Sequence, residues 1–164
     1  MYEYAYWLLG SIEPEPLVVI ANASDGAWVD ELTPANVPEP PIQFFCVREG
    51  IFGAVLQPAG LVLFRSDLSA ALRHLGVGEF STYPARIRSA QSDEIVDHYE
   101  IIKIPRTTPL ASVTTPAGCA SLTVVSEAIG AVLVSTELRA LLERRNIPGL
   151  GFSEPMFVAG APAN

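Results

Sequence analysis

LVLFRSDLSAALRHLGVGEFSTYP, residues 61–84, reads as strand, helix and strand in a single short stretch. Leu61, Val62, Leu63 and Phe64 make an apolar run suited to a short strand. Ser66 stands where a helix N-cap belongs, and Asp67 puts a negative charge on the first turn. Leu68, Ala71, Leu72 and Leu75 then recur at helical spacing and define one face to be buried. Gly76 comes where the chain must pass through positive φ to leave the helix. Val77, Phe80 and Tyr83 resume an apolar pattern that Pro84 ends.

The pattern returns seventy positions later, over Ala131 to Pro155. Thr136 replaces Ser66, Glu137 replaces Asp67, and Leu138, Leu141 and Leu142 replace Leu68, Ala71 and Leu72. Asn146 replaces Gly76, and Asn is the other residue that tolerates the left-handed conformation. Cap, first-turn acid, apolar face and exit turn therefore match by chemistry and not by identity. The spacing predicts a structural repeat of two strand–helix–strand units.

The rest of the chain is strand-like. Tyr2, Tyr4, Tyr6 and Leu8 alternate with Glu3, Ala5, Trp7 and Leu9, a strand closed by Gly10. Leu17 to Ile20 is a short β-branched run, and Asp25-Gly26 signals a turn before a short strand around Trp28 and Val29. Ile42 to Val47 and Ile51 to Leu56, separated by Glu49-Gly50, suit a hairpin. Arg86 and Arg88 flank Ile87 in a pattern expected of a strand with one wet face. His98 to Ile104, Ser121 to Val125, and Phe152 to Val158 supply further strands. The expected class is α+β: one domain over residues 1–164, a mixed or antiparallel sheet of short strands, and two main α-helices in the two repeated units.

A chain of 164 residues can bury a core without disulfide staples. Its apolar fraction is 49%, and its charged fraction of 17% lies below the usual ~25%. A thinly charged surface follows, with room for an apolar face reserved for a partner. No run approaches the roughly 20 apolar residues that cross a bilayer. The opening MYEYAYWLLG lacks a basic n-region and reads as a strand, so a cytoplasmic location is expected. Cys46 and Cys119 lie far apart in apolar surroundings and read as reduced, buried thiols.

Net charge is −8, and its distribution says more than its sum. Residues 1–60 hold eight acids against Arg48 alone, whereas residues 61–164 hold ten acids and nine bases. That asymmetry argues against nucleic acid or an anionic membrane as a partner and permits a basic protein, the alternative being a solvated acidic surface that keeps the protein soluble.

Catalytic chemistry is hard to assemble. His74 falls on the polar side of the first helix. His98 has carboxylates nearby in Asp93, Glu94, Asp97 and Glu100, yet in a strand His98 and Glu100 share one face while Asp97 and Tyr99 take the other. Gly76-Val-Gly78 and Gly149-Leu-Gly151 follow helices and do not open them, so they are exit turns and not phosphate cradles. No enzyme activity, cofactor or metal is expected.

Tyr6-Trp7-Leu8-Leu9, then Leu61-Val-Leu-Phe-Arg-Ser-Asp-Leu with Ala71-Leu72, Gly76-Val77, a Phe and Tyr83-Pro84, resemble a known family. His98-Tyr99-Glu100-Ile101-Ile102, Val132-Leu-Val-Ser135 with Glu137-Leu138, and Gly149 with Gly151-Phe152 continue the resemblance. The family is the myxobacterial-type immunity proteins, immunity family eleven, of bacterial polymorphic toxin systems. Pro148 before Gly149 and the prolines at 105, 109 and 116 depart from its pattern. The resemblance implies a non-enzymatic protein that binds and neutralises a cognate toxin. Glu13, Glu15, Asp25, Asp30, Glu31 and Glu39 are then the candidate contacts with a basic toxin surface. Two other readings stay open. One is a small-ligand-binding or regulatory domain with an aromatic pocket of Tyr2, Tyr4, Tyr6 and Trp7. The other is a hydrolase using His98 with Asp97 or Glu100.

Overall fold

The computed structural model describes residues 6–11, 16–20, 41–58, 61–77, 80–104, 107–108, 122–125 and 132–154. Its strands are β1 (Tyr6–Ser11), β2 (Leu17–Ile20), β3 (Ile42–Arg48), β4 (Val55–Leu56) and β5 (Leu63–Arg65), followed by the helix α1 (Ser66–His74). Then come β6 (Ser81–Ser89), β7 (Ile95–Lys103), β8 (Thr107–Thr108), β9 (Leu122–Val125) and β10 (Val132–Ser135). Helix α2 (Thr136–Arg145) and β11 (Leu150–Ser153) complete the set. The class is α+β, with the strands divided between two sheets. One runs β11-β1-β10-β9-β8 and the other β2-β3-β6-β7-β5-β4.

The repeat is real at the level of hydrogen-bond register. In the first unit β5 and β6 are joined by α1 and flank β7, each antiparallel to it. In the second, β10 and β11 are joined by α2 and flank β1 in the same way. Leu63 faces Ile101, which faces Tyr83; Leu133 faces Leu8, which faces Ser153. Leu63 and Leu133, like Tyr83 and Ser153, are seventy positions apart, so the offset extends through the strands beyond the helix. Outside these pairs, β4 lies antiparallel on β5 and β9 lies antiparallel on β10.

Both units feed one core. Val62, Phe64, Leu68 and Leu72 from the first meet Val132, Val134, Leu138 and Leu142 from the second, all at equivalent positions. The central strands add Ile102 and Leu9, again equivalent. The periodicity that makes each helix amphipathic thus buries it against its own strands and against the other unit. A second cluster fills the opposite face of the six-stranded sheet with Phe44, Cys46, Leu63, Tyr83, Ile87, Tyr99 and Ile101. Val18 of edge strand β2 and Leu56 of edge strand β4 join that same cluster, so the sheet curls until its two edges share a core.

The exit turns are as the sequence predicts: Gly76 has φ +81 and Asn146 has φ +51. The N-caps are not. Arg65, not Ser66, holds the cap position of α1 and makes no side-chain cap bond; Ser66 is the first helical residue and its hydroxyl donates to the His98 carbonyl at 3.0 Å. In α2 the cap is Ser135, not Thr136, and its hydroxyl accepts from the Leu138 N–H at 3.2 Å. Extended backbone at Arg65 and Ser135 ends the strand and opens the helix in a single residue, which shifts each cap one position toward the N-terminus.

Four strand expectations also change. Ile42–Val47 and Ile51–Leu56 do not pair as a hairpin, because β3 pairs antiparallel with β2 and parallel with β6 while β4 pairs with β5. Pro84 lies within β6, one residue before pairing with β3 begins, where a ladder tolerates a missing donor. Gly10 is a paired residue of β1 opposite Gly151. The last strand is Leu150–Ser153. Tyr2, Tyr4, Asp25-Gly26, Trp28, Val29 and Cys119 lie outside the described residues.

Candidate partner surface

Glu13, Glu15, Asp25, Asp30, Glu31 and Glu39 lie outside the described residues. Tyr6 and Trp7 are placed as backbone positions of β1, paired with Ser135 and Val134.

His98 sits at a β-bulge. Ala85 pairs with Tyr99 and Ile87 pairs with Val96, so Asp97 and His98 together oppose Arg86 alone. Strict alternation fails at this point, and Asp97 and His98 are both exposed. The His98 ring lies 5.1 Å from the ring of Tyr99, whose own hydroxyl is buried and donates to the Gly53 carbonyl at 2.5 Å. Burial pushes the Tyr99 phenol up to about 12, with the nearby Arg65 guanidinium pulling the other way. Among the described residues no group of three or more His, Cys, Asp or Glu side chains converges as a metal site.

Arg65 is the electrostatic hub of the first unit. Its Nε and a terminal nitrogen grip the two carboxylate oxygens of Asp67, each at 2.8 Å, and the terminal nitrogen also donates to the Pro148 carbonyl at 2.6 Å. The guanidinium holds the Asp67 carboxyl below its ordinary value, and Asp67 in turn raises Arg65. Cys46 is a buried free thiol whose pKa is raised, first by burial and then by Glu49.

The bulge has a second effect. Counting back from buried Tyr99 by twos would place Ile95 inside, but the extra residue turns it outward, where it is 46% exposed. Phe45, Arg88 and Ile95 therefore form a row across β3, β6 and β7, with Phe45 37% exposed. Val47, two residues along β3 from Phe45, is exposed as well. This is a mixed face in which the exposed Arg88 stands between Phe45 and Ile95, with Arg86 two residues back along β6. Arg86 Nε, and Glu100 Oε2 on the neighbouring strand, are buried without hydrogen-bond partners. The sequence reading missed Phe45, Val47 and Ile95 because apolar residues in a strand read as core until register and bulge are known.

Two clefts accompany this face. One, of about 280 Å³, lies between α2 and β11 and is lined by Arg139, Leu142, Glu143, Ile147, Leu150 and Phe152, among others. Arg139 closes over it, paired with Glu143 at 2.8 Å and lying 5.6 Å from the Phe152 ring centroid. The other, of about 210 Å³, opens at the seam of the curled sheet between Leu17 and Val18 on β2 and Leu56 of β4 with Gln57 and Pro58 after it. Among the described residues no helix is long and apolar enough to cross a membrane. No protein-family model matches the chain, and no curated protein matches it.

Proposed function

We propose that the protein is a cytoplasmic immunity protein that binds a cognate bacterial toxin and neutralises it by protein–protein contact, without catalysis. The observation that carries this reading is the outward row Phe45–Arg88–Ile95 with Val47 beside it, exposed apolar side chains around a central arginine on a six-stranded sheet. Exposed apolar side chains grouped on rigid backbone suit a protein interface, since they bury area at little ordering cost. The acidic excess of residues 1–60 supports the same reading, because it would steer a basic partner toward this molecule. The resemblance of residues 61–84 and 131–155 to immunity family eleven supports the same reading.

Co-expression with the product of a neighbouring toxin gene tests the proposal. Cells should survive only when both are made, and the two proteins should co-elute as one complex. Reversing the charge of Glu13, Glu15, Asp30 and Glu31 should slow association and weaken protection. Survival that does not depend on this protein, or protection without a complex, would remove the reading.

A small-ligand-binding or regulatory role is the second reading, favoured by the α2–β11 cleft with its Arg139, Glu143 and Phe152 lining. Perturbation of Phe152 by a small molecule, with no toxin complex, would select it.

A further inference from the structure

β1 belongs to the second unit by hydrogen bonding, yet it is continuous in chain with neither of the strands that flank it. It lies between β10 and β11, with Leu9 opposite Val132 on one side and Phe152 on the other. In the first unit β7 holds that place: Ile102 pairs with Thr82, and its N–H donates to the Val62 carbonyl at 2.9 Å. Val62 and Thr82 are the seventy-residue equivalents of Val132 and Phe152, so Ile102 and Leu9 occupy one structural position. The difference is connectivity. β7 follows β6 through a short turn, while β1 stands more than a hundred residues before β10.

We infer that the chain is a circularly permuted tandem repeat, in which β1 is the transposed central strand of the second unit and β10 and β11 form a groove that accepts it without a covalent link. Placing β1 after β11, as β7 follows β6, would give both units one order: outer strand, strand, helix, strand, central strand. β10 and β11 are parallel, joined by α2, and separated by two inter-strand spacings, about 9–10 Å, too far to pair with each other. Two facing rows of backbone donors and acceptors, with buried Val132 and Val134 in the groove wall, define what it takes. The ligand is an extended peptide, antiparallel to both rows, with an apolar residue where Leu9 lies, 1% exposed.

A protease site introduced within residues 12–15 of the full chain, and cut after folding, tests this. Segment 1–11 should remain bound after the cut. A labelled peptide of residues 1–11 should exchange into the groove under mild denaturant, while the same peptide carrying Leu9→Asp should not. Amide exchange should show that uptake restores protection in β10 and β11 and leaves β5 and β6 unchanged. Loss of the segment on cutting, with no uptake of the peptide, would overturn the inference. A permuted chain, residues 12–164 followed by a Gly/Ser linker and residues 1–11, covers failure of the nicked form. It should unfold in one transition at the parent Tm, and a permuted chain in which β10 and β11 stay unprotected would also overturn the inference.

Discussion

Arg65 and Asp67 are joined by two 2.8 Å bonds at the start of α1, and the same guanidinium reaches the Pro148 carbonyl in the exit loop of the other unit. The equivalent of Arg65 in the second unit is Ser135, which caps its own helix directly. The two units therefore solve one local problem differently. Ser135 satisfies an orphan N–H with its hydroxyl, whereas Arg65 holds Asp67 in place, and a carboxylate oxygen of Asp67 accepts from the Leu68 N–H at 2.9 Å. The first solution also ties the units together, through the bond from Arg65 to the Pro148 carbonyl.

Arg65→Ala should therefore cost about 0.5–1.5 kcal/mol, because it removes a bidentate but partly exposed ion pair and the tie to the Pro148 carbonyl, which water can then satisfy. Arg65→Lys should recover little of that, since an ammonium cannot make the two parallel bonds. Denaturant unfolding of the three proteins checks this, and equal midpoints would refute it. Ser135→Ala should cost about 1 kcal/mol through the lost cap.

The same pair sets an acid response. The Asp67 carboxyl lies below its ordinary value in the fold, chiefly through the Arg65 hydrogen bonds. The unfolded state therefore binds this proton first. The contribution to stability is present above the unfolded value, about 3.9, and is lost as pH falls through the folded one. Asp67→Asn should flatten the stability profile below about pH 4, measured by Tm against pH. Tyr99 works at the other end. Its folded pKa of about 12 exceeds the unfolded value, so its contribution should be lost as pH rises from about 10 towards 12. Tyr99→Phe should remove that step and cost about 1 kcal/mol for the lost bond to Gly53.

The helices were legible because each signal is local: spacing of leucines, a first-turn acid, and a residue that accepts positive φ. The repeat was legible for the same reason, with Gly76 and Asn146 as its clearest match. Pairing was not, because partners such as Leu9 and Val132 are distant in the chain and no local pattern names them. The exposed face was hidden for a further reason. A bulge at Asp97–His98 inverts the side on which Ile95 lies, and Phe45 differs from Phe44 only by one step of the pleat. The acidic residues of the proposed interface are legible as charge, and charge carries no geometry.

Two glycines that look alike in sequence should behave differently. Gly149 has φ +73, and a Cβ there would come within 2.9 Å of the Gly53 backbone Cα, beside the bond from the Ala54 N–H to the Gly149 carbonyl. Gly149→Ala meets both strain and a clash with backbone, so a loss above about 2 kcal/mol is expected. Gly76 has φ +81 but open space around the missing Cβ, so Gly76→Ala should cost about 1 kcal/mol and Gly76→Asn less, as Asn146 demonstrates at the equivalent position. Thermal unfolding of the three variants orders them, and an equal loss at both sites would sink the distinction.

Phe45→Asp combined with Ile95→Asp separates folding from binding. Both residues are more than a third exposed and neither belongs to the two core clusters, so each change should cost only about 1 kcal/mol, from partial loss of burial and the poor strand propensity of Asp. Leu72→Ala and Leu142→Ala, at fully buried equivalent positions, should instead cost about 2–5 kcal/mol each. If the outward row is an interface, the double aspartate variant still unfolds in one cooperative transition, binds less of an apolar fluorescent dye, and loses complex formation and protection against the cognate toxin. Because contact side chains act mainly on the bound state, the loss should appear mainly as faster dissociation, whereas charge reversal at Glu13, Glu15, Asp30 and Glu31 should act mainly on association. A double variant that protects cells as well as the parent would show that Phe45 and Ile95 are not contact residues. One that unfolds early would show that they stabilise the sheet itself.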